Sequence, residues 1–207
     1  MMRVVISGMW FLSIVVCASV ATAQIQRDSW KLKAFDLDAH LTHSLADAPL
    51  TGAERAQIYR VIDNQNMHDS YSNAQRDQER AMVMSTRVGS VTLAEDGSEQ
   101  VVAEGPADFC GAGGQCAIWI FVRQNGQLQL ALQATGATFI VRKGSSRGFH
   151  DIATGTKFSA WDTEYNDYRW NGRKFVPVDC YRTRYPRPND DSGPGSGGQH
   201  PVIERCS

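Results

Sequence analysis

Residues 116–133 read Cys-Ala-Ile-Trp-Ile-Phe-Val-Arg-Gln-Asn-Gly-Gln-Leu-Gln-Leu-Ala-Leu-Gln. Two strand-like runs flank Asn125-Gly126, a dipeptide that readily takes the positive φ angles of a two-residue hairpin turn. With that pair as the loop, Gln124 faces Gln127, Arg123 faces Leu128, Phe121 faces Leu130 and Trp119 faces Leu132. Trp119, Phe121, Leu128, Leu130 and Leu132 then share one face, which is expected to be core. Gln127, Gln129 and Gln133 share the other with Ile118, Ile120 and Val122, and this mixed face is expected to be half-exposed or covered by a helix. A slip of one residue would carry three leucines to the glutamine side, so the register is strongly specified.

Working outward, two more turn dipeptides stand between strand-like runs: Asp96-Gly97 and Asn171-Gly172. The first would pair Leu93 with Gln100 and Val91 with Val102. The second would pair Trp170 with Arg173 and Tyr168 with Phe175, an aromatic face with a cation–π contact. Val176, Val178 and Cys180 continue the following strand on its other face. Pro177 lacks a donor, which places this strand at an edge or beside a bulge. Further strands are expected over Thr138 to Arg142 and Phe149 to Ala153. Hairpins this closely spaced leave no room for parallel crossovers. The fold class is therefore α+β, with a predominantly antiparallel meander of about seven strands over 81–185.

Before the meander, residues 24–80 are expected to be helical and polar. Thr51-Gly52-Ala53-Glu54 is a capping box, and Ala53, Ala56, Ile58, Tyr59 and Ile62 form a stripe that predicts a helix over Gly52 to Asn64. A short helix is expected around Asp38 to Leu45. His68 to Arg80 reads as loop or as a second exposed helix. The tail, 186–207, is expected to be flexible: Pro186 to Pro201 is rich in Pro, Gly, Ser and Asp and is expected to be disordered, and the final residues are held only if Cys206 is in a disulfide.

The composition is that of an ordinary globular protein: 207 residues, 21 Lys+Arg against 22 Asp+Glu, 42% hydrophobic. There is no basic field for nucleic acid. Residues 1–23 have the layout of a signal peptide, with Arg3, an apolar run from Val4 to Val20, and Ala21-Thr22-Ala23 as the cleavage site between Ala23 and Gln24. The run is short for a bilayer span, so no membrane span is expected after cleavage, and the protein is expected to be periplasmic or secreted. Cys17 falls within the discarded peptide. Cys110, Cys116, Cys180 and Cys206 remain, an even count in an exported chain. Four cysteines allow three connectivities. Three glycines between Cys110 and Cys116 let that small ring close with little strain, which leaves Cys180 for Cys206. A zinc site is disfavoured by the lone short Cys spacing, with no His beside it.

Four clusters could carry chemistry. Gly144-Ser145-Ser146-Arg147-Gly148 matches G-x-S-x-G, with Ser146 as nucleophile and His150 as base, but that motif needs a strand–turn–helix elbow followed by an acid and a His. Here a strand-like run follows, and the only later histidine is His200, so a glycine-rich loop is favoured. His40 and His43 have a metal-pair spacing without a third ligand and read as surface histidines. Gly111-Ala112-Gly113-Gly114 is no dinucleotide fingerprint, because a strand follows it. Arg147, Phe149, His150 and Asp151, with Tyr168, Trp170 and Arg173, combine loop-borne aromatic, Arg and His groups suited to binding, though ordinary sheets carry them too.

The run Cys110-Gly111-Ala112-Gly113-Gly114-Gln115-Cys116-Ala117-Ile118-Trp119-Ile120-Phe121 resembles a C-G-x-G-G-C-x-x-W-I-F signature of small, exported, largely uncharacterised bacterial proteins. In that family a G-x-x-D-I element follows, here Gly148 to Ile152, and then a Y-x-W-x-G-x-x-Y element, here Tyr168 to Phe175 with Phe175 in place of the last Tyr. The resemblance covers about 88–181 and implies a β-sheet domain in an exported protein. Asp96-Gly97-Ser98-Glu99 keeps only part of an acidic run like those of calcium-loop repeats, and the missing aspartates argue against calcium. The resemblance implies no activity, catalytic residue or cofactor.

The reading that follows is an exported, non-enzymatic module binding another envelope or extracellular macromolecule, in one version an inhibitor or immunity-type protein. Ile118, Ile120 and Val122 would offer a recognition face, with Arg147, His150, Asp151, Tyr168, Trp170 and Arg173 as binding residues and no metal or cofactor. The alternatives are a cell-envelope hydrolase and a structural envelope component.

Overall fold

A computed structural model describes residues 35–64, 73–106, 110–111, 113–185 and 201–206. The signal peptide with its Ala23–Gln24 junction, residues 68–72 of the polar stretch, and tail residues 186–200 with His200 lie outside the described residues.

The α+β class is as expected, with more strands than the seven read from the sequence. Among the described residues, two helices, α1 (Gly52–Asp63) and α2 (Asn73–Met84), accompany ten antiparallel strands: β1 (His43–Ser44), β2 (Arg87–Thr92), β3 (Glu99–Glu104), β4 (Cys116–Gln124), β5 (Gln127–Gly136), β6 (Thr138–Ser146), β7 (Phe149–Ser159), β8 (Asp162–Trp170), β9 (Phe175–Arg184) and β10 (Val202–Arg205). They form two five-stranded sheets, β1-β2-β3-β4-β5 and β10-β9-β8-β7-β6. Each strand pairs with its neighbour in sequence except at Ala137, where the chain passes from one sheet to the other and the Ala137 N–H donates to Gly155 O at 2.8 Å. The strands cover more of the chain than the turn dipeptides announced because β7 and β8 meet at a tight turn, Ser159 to Asp162, that has no glycine.

The α1 boundary falls within one residue of the sequence reading. Both halves of the capping box form: the Glu54 N–H donates to Thr51 Oγ1 at 3.2 Å, and the Thr51 N–H donates to Glu54 Oε2 at 2.9 Å. The polar stretch after it is helical from Asn73, and α2 continues to Met84 before strand character begins at Arg87. The short helix expected over Asp38 to Leu45 does not form. These residues make turns and the two-residue β1. Leu37 and Leu41 enter one core while Leu45 enters another, so the segment runs along the sheet margin as a strap, a path that one helical stripe could not follow.

The Asn125-Gly126 hairpin forms with both loop residues at positive φ. Gln124 pairs with Gln127, Arg123 with Leu128 and Phe121 with Leu130, as read. A bulge between Ile120 and Phe121 then shifts the register, so Ile120 faces Leu132 and Trp119 faces Gln133 rather than Leu132. The extra residue turns Leu132 to the Ile120 side.

That bulge, and the second sheet, change what each face does. Trp119, Phe121 and Leu128 pack with Ile58 and Ile62 of α1 and Val83 of α2. Ile118, Ile120 and Val122, expected to be half-exposed or under a helix, are buried against Phe139, Ile152, Trp170 and Phe175 of the other sheet. The layers run helices, first sheet, second sheet, and β4 is buried on both faces.

The other two hairpins are wider than read. Val91 pairs with Gln100 and Gly89 with Val102, not Leu93 with Gln100 and Val91 with Val102. Leu93 leaves the ladder because buried Gln100 replaces a strand partner: its Oε1 accepts from the Leu93 N–H at 2.7 Å and its Nε2 donates to Ser98 O at 2.8 Å. Leu93 O is then free to accept from the His150 N–H at 2.8 Å, which ties this loop to the second sheet. At Asn171-Gly172 the loop has four residues. Asn171 Oδ1 accepts from the N–H groups of Arg173 and Lys174, both at 2.9 Å, an Asx turn. Trp170 therefore faces Phe175, not Arg173, and Tyr168 faces Pro177, not Phe175. Of the two placements expected from Pro177, an edge or a bulge, β9 lies between β8 and β10 and carries the bulge, opposite Asp167 and Tyr168.

Both disulfides form as paired from the sequence. Cys110–Cys116 has Cα atoms 4.1 Å apart, and Cys180–Cys206 has them 5.4 Å apart. The second holds β10 along the edge of β9.

Candidate functional site

The second sheet has two ends, and each gathers a different set of side chains. The residues singled out from the sequence lie at the end where β6 turns into β7 and β8 into β9. Arg147 and Gly148 form that first turn with φ of 52° and 84°, so the G-x-S-x-G run is a hairpin tip, and Ser146 is a strand residue opposite Phe149. Ser145 lies opposite His150, but its hydroxyl donates to Glu95. The elbow that a G-x-S-x-G nucleophile needs, strand into helix, is not built here.

Arg147 Nη1 donates to Asn171 O, joining the two turns. Asp151 pairs with Arg169 at 3.2 Å. Its other oxygen, Oδ1, and His150 Nδ1 are out of contact with solvent and have no hydrogen-bond partner among the described residues. Trp170 is only 5% exposed. Its ring lies 4.4 Å from that of Phe149 and 5.2 Å from that of Phe175, and Tyr168 packs beside them. Arg173 is exposed in the loop. The structure thus brings Arg147, Phe149, His150, Asp151, Tyr168, Trp170 and Arg173 to one end of the sheet, but turns Trp170 into the core and leaves Tyr168 half-buried against it.

One strand length away, the β7–β8 turn has the opposite character. Phe158 is 57% exposed and Trp161 37%. Both flank the tip of a hairpin whose last paired residues are Ser159 and Asp162. The Arg182 guanidinium lies 4.8 Å from the Phe158 ring centre and pairs with Asp162 at 3.5 Å and Glu164 at 3.4 Å. Val202, 54% exposed, lies opposite Arg184, which lies opposite Asp162, in one cross-strand row. Gln115, in the small disulfide ring, donates to Lys157 O, and Tyr185 N–H donates to Trp161 O at 2.8 Å. The tip is therefore braced at its base on both sides. The sequence reading missed it because Ser159-Ala160-Trp161-Asp162 carries none of the usual turn dipeptides. The available signal was two aromatic residues close together in an otherwise polar stretch.

Between the two ends, Arg142 is largely buried and donates through Nε to Asp167 Oδ1 at 3.1 Å and through Nη2 to the Tyr181 hydroxyl. Tyr165 stacks on Tyr181 at 5.2 Å. Burial pushes the Asp167 carboxyl above the usual range, Arg142 opposes that shift, and the nearby Asp179 and Asp151 charges add to it. This is a charge-balanced structural cluster.

The metal readings find no support among the described residues. His40 Nδ1 is 3.0 Å from Ser90 O, and His43 is an exposed residue of β1. The one set of ligand-type atoms close enough to share an ion is Glu164 with Cys180 and Cys206, and both sulfurs are held in a disulfide. A cleft of about 290 Å³ opens between the strap and the sheet junction, with Phe35, Leu37, Ile118 and Phe139 among its lining residues and Asp36, Asp38 and Glu104 among its polar groups. Asp38 and Glu104 are both paired to Arg87.

No helix among the described residues is long and apolar enough to cross a membrane. The two disulfides fit an oxidising compartment. No family model matches the chain, and no curated protein or solved structure shows a significant match to it.

Proposed function

We propose that this protein is an exported, non-enzymatic binding module for another macromolecule of the cell envelope or extracellular space. Export rests on the n-region, apolar run and A-x-A site of residues 1–23 together with the two disulfides. The observation that carries the binding reading is the β7–β8 hairpin, which offers Phe158 and Trp161 to solvent from a base braced by the Cys110–Cys116 ring. Exposed aromatic rings on a rigid support lose little conformational entropy on binding and are frequent anchors of interfaces. The recognition face first read at Ile118, Ile120 and Val122 lies inside the sandwich, so recognition moves to this tip.

The test is retention of the exported, oxidised protein on envelope material from its own host, with Phe158→Ser/Trp161→Ser as the comparison. Wild type is expected to be retained saturably and the double variant at least ten-fold less. Equal retention of the two removes the tip from the binding reading.

A further inference from the structure

We infer that the partner of the β7–β8 tip is an anionic lipid surface, on which the tip rests by inserting its two aromatic side chains among the headgroups. This rests on the binding role given to the tip above and goes beyond it in making a lipid surface, not a macromolecule, what the tip meets.

Three observations converge. First, of the five large hydrophobic residues exposed among the described residues, three, Phe158, Trp161 and Val202, stand at this one end of the second sheet. Aromatic side chains that carry an apolar body at a tip are suited to the boundary between headgroup and acyl chain.

Second, the charges beside them are arranged for an anionic plane. Lys157, Arg182 and Arg184 flank the tip, and Asp162 and Glu164 are both engaged by Arg182. The acids here, Asp162 and Glu164 on β8 and Glu204 opposite Arg182 on β10, equal the cations in number, but Lys157 and Arg184, nearest the two rings, have no ion-pair partner among the described residues and are the charges placed to meet headgroup phosphates. Long basic side chains can lay their stems along apolar surface while the charged ends stay at the phosphate level, and Arg182 already does so over Phe158.

Third, the tip is supported without being covered. Its base is fixed by Gln115 on one side and by the Tyr185–Trp161 backbone bond on the other. A protein-binding hot spot would differ in setting: it usually sits in a well-packed, desolvated pocket near the centre of an interface, and this tip projects into solvent between basic side chains instead. Several weak contributions, aromatic insertion plus two or three basic side chains, give reversible peripheral attachment rather than anchoring.

The experiment is co-sedimentation of the oxidised exported protein with vesicles, one set of phosphatidylglycerol with phosphatidylethanolamine and one of phosphatidylcholine alone. Wild type is expected to bind the anionic set at least ten-fold more tightly than the neutral set, and to weaken as salt is raised. Phe158→Ser/Trp161→Ser and Lys157→Glu/Arg184→Glu are each expected to lose at least ten-fold on anionic vesicles, while Leu130→Ser, an exposed apolar residue of the other sheet, binds like wild type. Far-ultraviolet circular dichroism and a non-reducing gel establish that each variant is folded and oxidised. The inference is overturned if wild type shows no vesicle binding, if it binds both vesicle sets equally, or if the aromatic variant binds like wild type. Absence of vesicle binding with envelope retention still dependent on Phe158 and Trp161 would overturn the lipid partner and leave the binding module standing. Loss of both would overturn the two together.

Discussion

Gly89 of β2 lies directly beneath the backbone of His40: a Cβ built on Gly89 would come within 1.7 Å of the His40 carbonyl oxygen. The strap is pressed onto the strand at this point, and the His40 ring holds it with a 3.0 Å contact from Nδ1 to Ser90 O. Leu37, three residues before His40, and Leu41, the next residue, fill the core between the sheets. Gly89→Ala must push the strap backbone away, because neither partner atom belongs to a side chain that could swing aside. The expected cost is about 2–4 kcal/mol, at or above the upper end of overpacking penalties. His40→Ala, which removes the hydrogen bond and the ring stacked 4.6 Å from that of Phe35 but moves no backbone, should cost about 1–2 kcal/mol. Urea midpoints for the two variants check both values and their order.

The Glu54 carboxyl is held below the usual range, foremost by the Thr51 backbone N–H, with burial opposing and the Arg123 side chain adding to the effect. A carboxylate whose native pKa is lowered stabilises the fold above its unfolded pKa, and that contribution is lost as pH falls through the native value. Glu54→Gln is therefore expected to be less stable than wild type by about 1 kcal/mol at pH 7. The gap should close as the solution is acidified below the ordinary Glu pKa of about 4.3. Paired denaturation curves at neutral and acid pH read the difference directly.

Trp170, a binding candidate from the sequence, and Trp161, a candidate only from the structure, should separate cleanly in stability. Trp170→Ala empties a site walled by Phe149 and Phe175 and is expected to cost about 3–5 kcal/mol. Trp161→Ala, at the exposed tip, should stay within about 0.5 kcal/mol of wild type. Thermal melts of the two variants decide it.

The two disulfides close loops of different length, with sequence separations of 6 and 26 residues. Loop-closure entropy assigns about 2 kcal/mol to the small ring and about 3.5 to the larger. Cys180→Ser/Cys206→Ser should lower the urea midpoint more than Cys110→Ser/Cys116→Ser. The smaller deletion should instead loosen the β7–β8 tip through Gln115, visible as faster amide exchange around Lys157.

Asp167 is the carboxylate that balances largely buried Arg142. Asp167→Asn keeps the shape and removes the charge, leaving the guanidinium short of its counter-ion. The expected loss is about 3–5 kcal/mol. Asp167→Asn combined with Arg142→Met should recover a substantial part of it, because the unmatched charge is gone. A double-mutant cycle from chemical denaturation measures the coupling.

Much of this molecule is written in short-range sequence. The Thr51 and Glu54 pair marks the start of α1 because a capping box satisfies two backbone donors locally. Asn125-Gly126 sets the β4–β5 turn because both residues tolerate positive φ. The cysteine pairing follows from an even count and one closable small ring. Hairpins fail to be read where a side chain far along the chain takes over a ladder position. Gln100 does this for Leu93, and Asn171 widens its own loop by bonding Arg173 and Lys174.

Local sequence thus determined the class of fold, the principal turns, the first helix and the disulfides, since each depends on the dihedral preferences or spacing of neighbouring residues. Only the tertiary structure decided what each face meets. One extra residue at the β4–β5 bulge turns Leu132 toward the second sheet, and that sheet buries the Ile118, Ile120 and Val122 face. The same packing draws Trp170 inward and leaves Phe158 and Trp161 outside. Alternation along a strand says which residues share a side, but burial on that side is settled by whichever distant layer packs against it.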